Sequence, residues 1–550
     1  MDIYLVNANA WDSGIKPGAD NAGLLYTWYG LKSAGFKSRL LPETNISNDT
    51  DWLYEDITQE ISDKILNTDE LKLIGISSMT QSVPYRNVIA NSIKSNLKNT
   101  CVVFGGPHAT KSQNTKDEFL GSSLFDAYNL GGSQPFISLC QGLESGEITF
   151  ADKTFKGTLP EGIYYRLGTD IAGREIGKFP EINASKIDEV VYNMSGTFNY
   201  PRIPIHSTDE CPNNCGYCSS PKTVAPDINA ILGIVELSLQ NPVTRYHPIA
   251  LDFTGNNPFM RGKNRKNTED LLENICGYVA KSKTRALYTF FLDPSILIDD
   301  REYMTERTSR INGLVSYFIG RDYPDGDLAA KFGRKWHGKP RSQERLDSEI
   351  DGIAKFLKDI TEIRRGVTLY LSYIFPPGSD DAVFKTVANE MIYFSAIGKK
   401  LKPSIGIDFR INSLTPYPDT EVYYKYRGRF DESAYFKYNV GNAWLDEPAL
   451  DNLETSLRVF NILGSSELKE EYQIFMENNS LKIAAVLFPA FMKGTKPNPR
   501  ITKSKTGLLD KLARQVHSRV DEVSKHDLDE LVYDDVLKKS LLKSSDWLEV

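Results

Sequence analysis

The chain of 550 residues is 40% hydrophobic and 25% charged, and it carries a formal net charge of −7. It is too long for one hydrophobic core, so we expect roughly two to four domains of an ordinary soluble globular protein. The acidic balance argues against a protein built mainly to bind nucleic acid, which would be basic.

The start of the chain and its cysteine content indicate a cytoplasmic setting without a membrane partner. The opening MDIYLVNANA predicts a buried strand and lacks the charged and apolar regions of a signal peptide. No apolar stretch reaches the roughly 18–20 residues that a membrane span needs. Six cysteines occur, three of them in one short loop. This usage is typical of a reducing compartment rather than of a disulfide scaffold.

Residues 1–150 alternate short apolar runs with helical, amphipathic stretches, which is the signature of parallel βαβ units. The predicted strands are DIYLVNA, KLIGISS, VVFGG and AYNLGG, and a helix over residues 23–34 follows the first of them. In such doubly wound α/β domains ligands bind beyond the carboxyl ends of the strands. We therefore expect one crevice to be lined by the loops at residues 7–18, 77–81, 105–110 and 131–134.

The remainder of the chain divides into three predicted segments. Residues 151–199 are polar without a sustained period and are predicted to form a linker. Residues 200–425 again alternate strands and helices, with strands IALDFTGNN, ALYTFFLD, LVSYFIG, VTLYLSYIF and IGIDFRINSL. This pattern predicts a barrel-like (β/α) domain with its active site at the carboxyl ends of the strands. Residues 426–550 are predicted to be mostly helical, with an amphipathic docking helix over residues 507–523.

A loop near the start of the third segment carries Cys211, Cys215 and Cys218 in the string HSTDECPNNCGYCSS. The C-x3-C-x2-C spacing offers three thiolates to one metal centre and no obvious fourth. An electron-carrying cubane cluster uses four thiolates, so a cluster held by three leaves one iron open to another ligand. The alternative is a structural zinc ion with His206 or Asp209 as its fourth ligand. Zinc sites usually pair two short ligand knuckles, and no second knuckle follows nearby.

The cysteine string resembles that of the radical S-adenosylmethionine (SAM) superfamily, where an aromatic residue, here Tyr217, usually precedes the last cysteine. The resemblance implies a [4Fe-4S] cluster whose open iron binds SAM, and reductive cleavage of SAM to a 5′-deoxyadenosyl radical. It also implies a partial (β/α)6 barrel and an electron donor such as flavodoxin or ferredoxin. SAM-binding roles follow for Tyr217 and for the turn after the second strand, which consists of Gly255, Asn256 and Asn257; the alternative is a plain turn.

Arg321 directly follows the predicted strand LVSYFIG. At the carboxyl end of a barrel strand its guanidinium is a candidate to bind the SAM carboxylate in bidentate fashion. The alternative is a surface ion pair with Asp322 or Asp325.

The first domain resembles the cobalamin-binding domain that precedes the radical SAM domain in one large class of these enzymes. The matching strings are GLLYTWYGLKSAGF after a long loop, GISSMT and FGGPHAT, while FPPGSDD and LTPYPDTEVY resemble late barrel strings of the same class. The alternative is a domain that has lost its cofactor, with the histidine of FGGPHAT as a turn residue. The resemblance implies that cobalamin is bound by small crevice residues and that histidine, namely Ser77, Ser78, Gly105, Gly106, His108 and Gly131.

These features favour a cobalamin-dependent radical SAM methyltransferase that acts on an unactivated carbon of a natural product or peptide. One alternative is a cobalamin-free radical SAM enzyme that epimerises, closes rings or rearranges. An epimerase generally needs a thiol, and only Cys276 is available, in a helical stretch predicted to pack outward. A zinc-stabilised scaffold is the non-enzyme alternative.

Overall fold

A computed structural model describes the chain in segments. None of the helices within them has both the length and the apolar character of a membrane span. Almost all of the predicted C-terminal helical region lies outside them. The described residues are 1–8, 22–41, 61–65, 67–78, 83–106, 109, 113–130, 132–167, 169–174, 202–205, 207–208, 211, 213–218, 228–240, 248–253, 257–376, 379, 381–401, 405–414, 417, 420–429, 518 and 520–525.

The chain folds into two compact units. The first comprises Met1–Cys211, Ser219–Tyr288 and Tyr435–Tyr438, and the second comprises Pro212–Cys218, Thr289–Ala434 and Asn439–Val550. The domain boundaries expected from the sequence stay predictions.

The first part of the chain contains a seven-stranded sheet and a separate two-stranded hairpin. Its helices are α1 Ala22–Ser33, α2 Val83–Asn96, α3 Gln113–Gly121 and α4 Ser133–Ser145. Its strands are β1 Asp2–Asn7, β2 Ser38–Leu41, β3 Lys72–Ser77, β4 Thr100–Gly105, β5 Ala127–Asn129, β6 Thr149–Ala151, β7 Thr154–Lys156, β8 Ile163–Leu167 and β9 Asp170–Gly173.

The strand order of this sheet is β2-β1-β3-β4-β5-β8-β9. The pairs from β2 to β5 are parallel, as predicted, and β1 and β3 run side by side from Asp2↔Lys72 to Asn7↔Ser77. In this doubly wound order the strand order reverses at β1 and β3, which is where ligands of such sheets bind. Strands β1, β3 and β4 are almost wholly buried, because a parallel sheet is covered on both faces.

The segment predicted as a linker contributes two further strands. β8 pairs with β5 in antiparallel fashion, Tyr128 facing Tyr164, and β9 pairs with β8. The rings of Tyr128 and Tyr164 stack at 5.0 Å. The first sheet therefore extends beyond residue 150 through IYYRL, a string whose isolated apolar pairs do not predict a strand.

The second sheet has six strands in the order β10-β11-β12-β13-β16-β17. The pairs β10–β11, β13–β16 and β16–β17 are parallel. Its strands are β10 Arg202–Ile205, β11 Ile249–Phe253, β12 Ala286–Leu292, β13 Leu314–Asp322, β16 Val367–Phe375 and β17 Ile405–Ser413, with the hairpin β14 Lys335–Trp336 and β15 Lys339–Pro340 between them. The intervening helices are α5 Ile228–Gln240, α6 Lys263–Ser282, α7 Ile296–Asp299, α8 Arg301–Arg310, α9 Gly326–Lys331, α10 Gln343–Ile363, α11 Asp381–Leu401 and α12 Glu421–Lys425.

Local signals fix several of these helices. Ser342 caps α10 because its hydroxyl accepts from the Arg345 N–H, and Asp325 caps α9 by accepting from the Leu328 N–H at 2.8 Å. On β16 every second side chain is buried, which places the buried set against the helices and the other set on the opposite face. We call this opposite face of β12, β13, β16 and β17 the open face.

Candidate functional site

The cysteine loop follows β10. In the first unit, Asn257 Nδ2 donates a hydrogen bond to Cys211 Sγ at 3.2 Å. Asn257 adopts the left-handed conformation with φ of 52°, which asparagine tolerates better than most residues. The Asn257 amide, predicted to contact SAM, thus contacts a cysteine sulfur. Gly255 and Asn256 of the same predicted turn lie outside the described residues.

In the second unit the backbone N–H of Lys335 donates to Cys215 Sγ at 3.3 Å, and the Cys218 N–H donates to the Cys215 carbonyl at 3.1 Å. Burial raises the pKa of the Cys215 thiol to about 12, and the carboxylates of Asp322 and Asp293 add to the rise although the Lys335 N–H opposes it. Without a metal this sulfur therefore carries a proton at neutral pH, and a bound metal cation would favour the thiolate.

Within the described segments, no three His, Cys, Asp or Glu side chains converge as ligands of a single metal ion would. His206 and Asp209, the candidate fourth zinc ligands, lie outside those segments. The thiolates of a cubane cluster each bind a different iron, and hydrogen bonds to the sulfurs tune its potential. Three sulfurs, two of which accept N–H donors, fit such a cluster by their chemistry.

Gly216, between two of the cysteines, is held from both sides. Its N–H donates to the Gly333 carbonyl at 2.7 Å, and its carbonyl accepts from the Val422 N–H at 3.0 Å. A Cβ at this position would lie 2.8 Å from Glu421 Oε2 and 3.2 Å from Glu421 Cβ, so a larger residue would displace the Glu421 side chain. Thr420 caps α12 by accepting from the Tyr423 N–H at 3.1 Å, and the Val422 N–H joins the start of this helix to the cysteine loop.

Two carboxylates at strand ends hold polar side chains of the loop. Tyr217 donates its hydroxyl to Asp322 Oδ2 at 2.6 Å, and Asn213 donates its amide to Asp293 Oδ2 at 2.7 Å. Asp322 is the last residue of β13 and Asp293 directly follows β12. Burial raises the pKa of Tyr217 well above its usual value, so the hydroxyl stays a donor.

The structure is at odds with the predicted SAM contact of Arg321. Its side chain is 0% exposed and donates twice to Glu390, at 2.6 and 3.1 Å, and once to Glu349, at 2.7 Å. A further donor is bound by the Leu346 carbonyl at 3.0 Å. The strand continues to Asp322 with a bulge at Arg321, and the ion pairs with Glu349 of α10 and Glu390 of α11 show that Arg321 points toward the helices rather than into the site. Its ion pairs are interior and not on the surface.

Glu349 of α10 is the centre of this buried charge network. One carboxylate oxygen accepts from Arg321 and, at 3.3 Å, from Arg334; the other accepts from Arg341 and, at 3.0 Å, from Ser295. Burial alone would raise the pKa of Glu349, but the three arginines hold it below its ordinary value.

The network continues to the two strand-end carboxylates. Arg341 also pairs with Asp293, and Arg334 Nε lies 3.7 Å from Asp322 Oδ2. Sequence reasoning missed these residues. Asp293 and Asp322 lie at the ends of predicted strands, and this position could have marked them as site residues. No comparable sequence pattern marks Arg334, Arg341 and Glu349.

The predicted cobalamin crevice is described in part. Ser77 ends β3 and Ser78 is fully buried; the Ser78 Oγ has no hydrogen-bond partner among the described residues. Gly106 has a φ of 89°, and a Cβ there would lie 2.4 Å from Ser77 Oγ, whereas Gly105 has ordinary contacts around it. The predicted His108 and Gly131 lie outside the described residues. Gly106 is therefore required by the close approach of β4 to the β3 loop.

Cys276 does not pack wholly outward as predicted. Its thiol lies 3.5 Å from the Tyr288 hydroxyl and is partly buried. Tyr288 is near the amino end of β12, so this thiol faces the helix-covered side of the sheet and not its carboxyl end. Cys101 and Cys140 are buried.

No protein-family model and no curated protein matches the sequence. The fold is similar to that of the radical S-adenosylmethionine methyltransferase TsrM from Kitasatospora setae, solved with cobalamin and a [4Fe-4S] cluster, at 13% identity and a TM-score of 0.53 over 76% of this chain and 73% of that one. It is also similar to the cobalamin-dependent S-adenosylmethionine radical enzyme OxsB, solved with aqua-cobalamin and S-adenosylmethionine, at 11% identity and a TM-score of 0.55 over 100% of this chain and 84% of that one. The structure of the apo form of OxsB is 12% identical in sequence to this chain and matches it with a TM-score of 0.54. The predicted fold class is confirmed, and the chain has the fold of the cobalamin-dependent radical SAM enzymes.

Proposed function

We propose that this chain is a cobalamin-dependent radical SAM enzyme that methylates an unactivated carbon of a natural product or peptide. The observation that carries the proposal is the C-x3-C-x2-C loop after the first strand of a six-stranded sheet, with N–H donors on two of its sulfurs. The similar folds of TsrM and OxsB support it.

Cys211, Cys215 and Cys218 would hold the cluster. When bound, the cluster supplies the electron that cleaves SAM and cobalamin supplies a methyl carrier. The N–H groups of Lys335 and Asn257 stabilise sulfur in its anionic form, because they donate to it.

The chain's own contribution is placement. Asp322 and Asp293 fix Tyr217 and Asn213 from the strand ends, and Gly216 is anchored through its backbone on two elements. A loop held at so many points keeps its ligands in one geometry, which radical chemistry requires because the reacting atoms must lie close together. We retain Tyr217 and Asn257 as SAM-binding candidates, together with Gly255 and Asn256.

Cobalamin would bind at the carboxyl ends of β3 and β4. The unpartnered Ser78 hydroxyl is a polar group that a ligand would satisfy. The small residues Ser77, Gly105 and Gly106 leave room beside it. We propose His108 and Gly131 as further contacts of the same crevice.

The first test is anaerobic reconstitution of the full-length chain with iron, sulfide and hydroxocobalamin, followed by desalting and an absorption spectrum. We expect the broad visible absorption of an iron–sulfur cluster and retained cobalamin bands. A cluster without cobalamin would favour the cobalamin-free radical enzyme, and a colourless protein that retains zinc would favour the scaffold.

Matched cysteine variants sharpen this test. Cys215→Ala should abolish the cluster absorption, because two thiolates do not hold the cluster, whereas Cys276→Ala should retain it. Equal iron and sulfide content in the two variants would contradict the assignment of the loop.

A second experiment separates methyl transfer from other radical outcomes. The reconstituted protein is incubated with SAM and a reductant, either dithionite or a flavodoxin or ferredoxin system. A methyltransferase should form S-adenosylhomocysteine, one equivalent per bound cobalamin, in addition to 5′-deoxyadenosine. Formation of 5′-deoxyadenosine alone would exclude methyl transfer and leave the radical SAM assignment intact.

A further inference from the structure

Three aromatic side chains line up across the open face of the second unit. The rings of Phe291 and Phe318 stack at 5.2 Å, and those of Phe318 and Tyr370 stack at 4.4 Å with an interplanar angle of 9°. They come from neighbouring strands β12, β13 and β16, and Phe318 pairs in register with Tyr370. We call Phe291, Phe318 and Tyr370 the aromatic ladder.

The ladder is accessible rather than part of the core. Phe291 is 44% exposed, and Phe318 and Tyr370 are half-buried. Their strand neighbours Tyr317 and Leu369 are fully buried on the face that packs against the helices. Flat, partly exposed aromatic surface inside a sheet is typical of a ligand site, because it binds planar or apolar groups without ordering new side chains.

A cation lies at one end of the ladder. The Arg410 guanidinium stands 5.8 Å from the centroid of the Tyr370 ring, and Arg410 pairs in register with Ser372, two residues after Tyr370. Arg410 is exposed and has no carboxylate partner among the described residues. A planar guanidinium that stacks on a ring and keeps its donors available binds carboxylate or phosphate.

The ladder leads to the cysteine loop. Phe318 and Gly320 lie on the open face of β13, in register with Tyr370 and Ser372, and Asp322 follows after a β-bulge. A Cβ on Gly320 would lie 3.2 Å from Asp322 Oδ1. Asp322 in turn holds Tyr217 at 2.6 Å. The ladder therefore has a member on the strand whose carboxyl end supports the loop, with Phe318 four residues before Asp322.

We propose that the aromatic ladder and Arg410 bind the substrate, and that the substrate carries a planar unsaturated ring system with an anionic group. The assignment of this ligand as substrate rests on the proposed function. The rings stack on the planar part, and Arg410 binds the carboxylate or phosphate.

The test uses three probes that share one ring: 2-naphthoate, 2-naphthyl phosphate and 2-naphthamide. Their Kd values are measured by isothermal titration calorimetry on the full-length chain, before and after reconstitution. We expect at least one anionic probe to bind about tenfold more tightly than the neutral amide, a difference of about 1.4 kcal/mol. Which anion binds better distinguishes a carboxylate from a phosphate substrate.

Variants assign the effect to residues. Arg410→Gln should reduce the preference for the anion to near unity, while Arg427→Gln, which removes another arginine stacked on a tyrosine at 5.9 Å, should leave it unchanged. Tyr370→Leu should raise the Kd values of all three probes by about the same factor. Tyr370→Phe keeps the ring and should bind as the parent protein does, which separates stacking from a general loss of fold.

Equal binding of anionic and neutral probes to the parent protein would overturn the proposal, as would an anion preference that survives in Arg410→Gln. These outcomes do not depend on the cluster, since the chain is titrated without it as well. A protein that assembles its cluster and cleaves SAM but shows no anion preference would refute this inference alone.

Discussion

The two units surround buried carboxylates with different numbers of cationic partners, and the pKa values of these carboxylates shift in opposite directions. Glu349 of the second unit meets three arginines, which hold its pKa below the ordinary value of 4.5. Asp126 of the first unit meets one lysine, Lys94, and accepts from the Val102 N–H at 2.7 Å, yet burial raises its pKa above the ordinary 3.8. Both side chains are buried.

The number of cationic partners decides which effect prevails. Desolvation penalises a buried charge by several kcal/mol, and one partly exposed lysine does not recover that loss for Asp126. Around Glu349 both oxygens accept two hydrogen bonds, so the charge is fully compensated. The compensated network is the one that supports the cysteine loop. We infer that the need to hold this loop in one geometry outweighs the desolvation cost of burying these charges.

The largest effect is expected from Glu349→Gln. The substitution leaves three buried arginines around a neutral amide, and breaking such a buried ion pair costs about 3–5 kcal/mol. The measurement is urea denaturation followed by circular dichroism, with Glu362→Gln on the exposed side of the same helix as the control. A free energy of unfolding within the error of the control would show that the arginines are compensated in another way.

A smaller effect is expected from Tyr217→Phe. It removes a hydrogen bond to a charged acceptor, which is worth about 1.5–3 kcal/mol. Tyr323→Phe is the matched control, because Tyr323 packs edge-on against Tyr217 at 5.1 Å and its buried hydroxyl has no partner among the described residues. We expect the Tyr217 variant alone to lose stability and to release iron faster to a chelator. Equal behaviour of the two variants would mean that Asp322 does not hold the loop.

Asp126→Asn should change the stability of the first unit by no more than about 1 kcal/mol, because burial already disfavours the Asp126 charge and its partner Lys94 is partly exposed, so water can solvate the lysine after the substitution. The asparagine oxygen still accepts from the Val102 N–H. Urea denaturation of this variant beside Glu349→Gln compares the two units directly. A loss as large as that of Glu349→Gln would refute the distinction drawn between them.

The pH dependence should differ in sign between the same two sites. Glu349, with its lowered pKa, contributes stability above pH 4.5 that is lost as the pH falls below that value. Asp126, with its raised pKa, contributes stability below pH 3.8 that is lost as the pH rises through the raised value. The free energy of unfolding is measured for the parent protein and for each variant from neutral pH downward. The difference between parent and variant, plotted against pH, gives one slope for each site. Slopes of the same sign would contradict the assignment.

The strands that carry the site could be predicted because they are continuous apolar runs that end in polar or glycine turns. Val367–Phe375 was predicted with its observed bounds. β8 could not be predicted, because its support is an antiparallel partner, β5, far away in the sequence. Short strands are fixed by such tertiary pairing rather than by their own pattern.

The spacing of the cysteines predicts their role as cluster ligands, which stays a prediction, whereas the SAM contact predicted for Arg321 rested on a strand boundary placed too early. Ending β13 at Gly320 put Arg321 in a loop, but the strand runs to Asp322 with a bulge at Arg321, whose side chain pairs with Glu349 and Glu390 of the helices. The partners of the network are scattered between Asp293 and Glu390 without a common period. No local pattern brings them together, so only the folded chain reveals them.

The supports of the cysteine loop are synthesised long after the loop itself. Asn213 and Tyr217 leave the ribosome before Asp293 and Asp322, and Glu390, which completes the pairing of Arg321, comes later still. During that interval the nascent cysteines lack the contacts that hold them in the finished protein. We therefore expect iron and sulfide to be incorporated only after α11 has been made, so that chains released early carry reduced, unligated thiols.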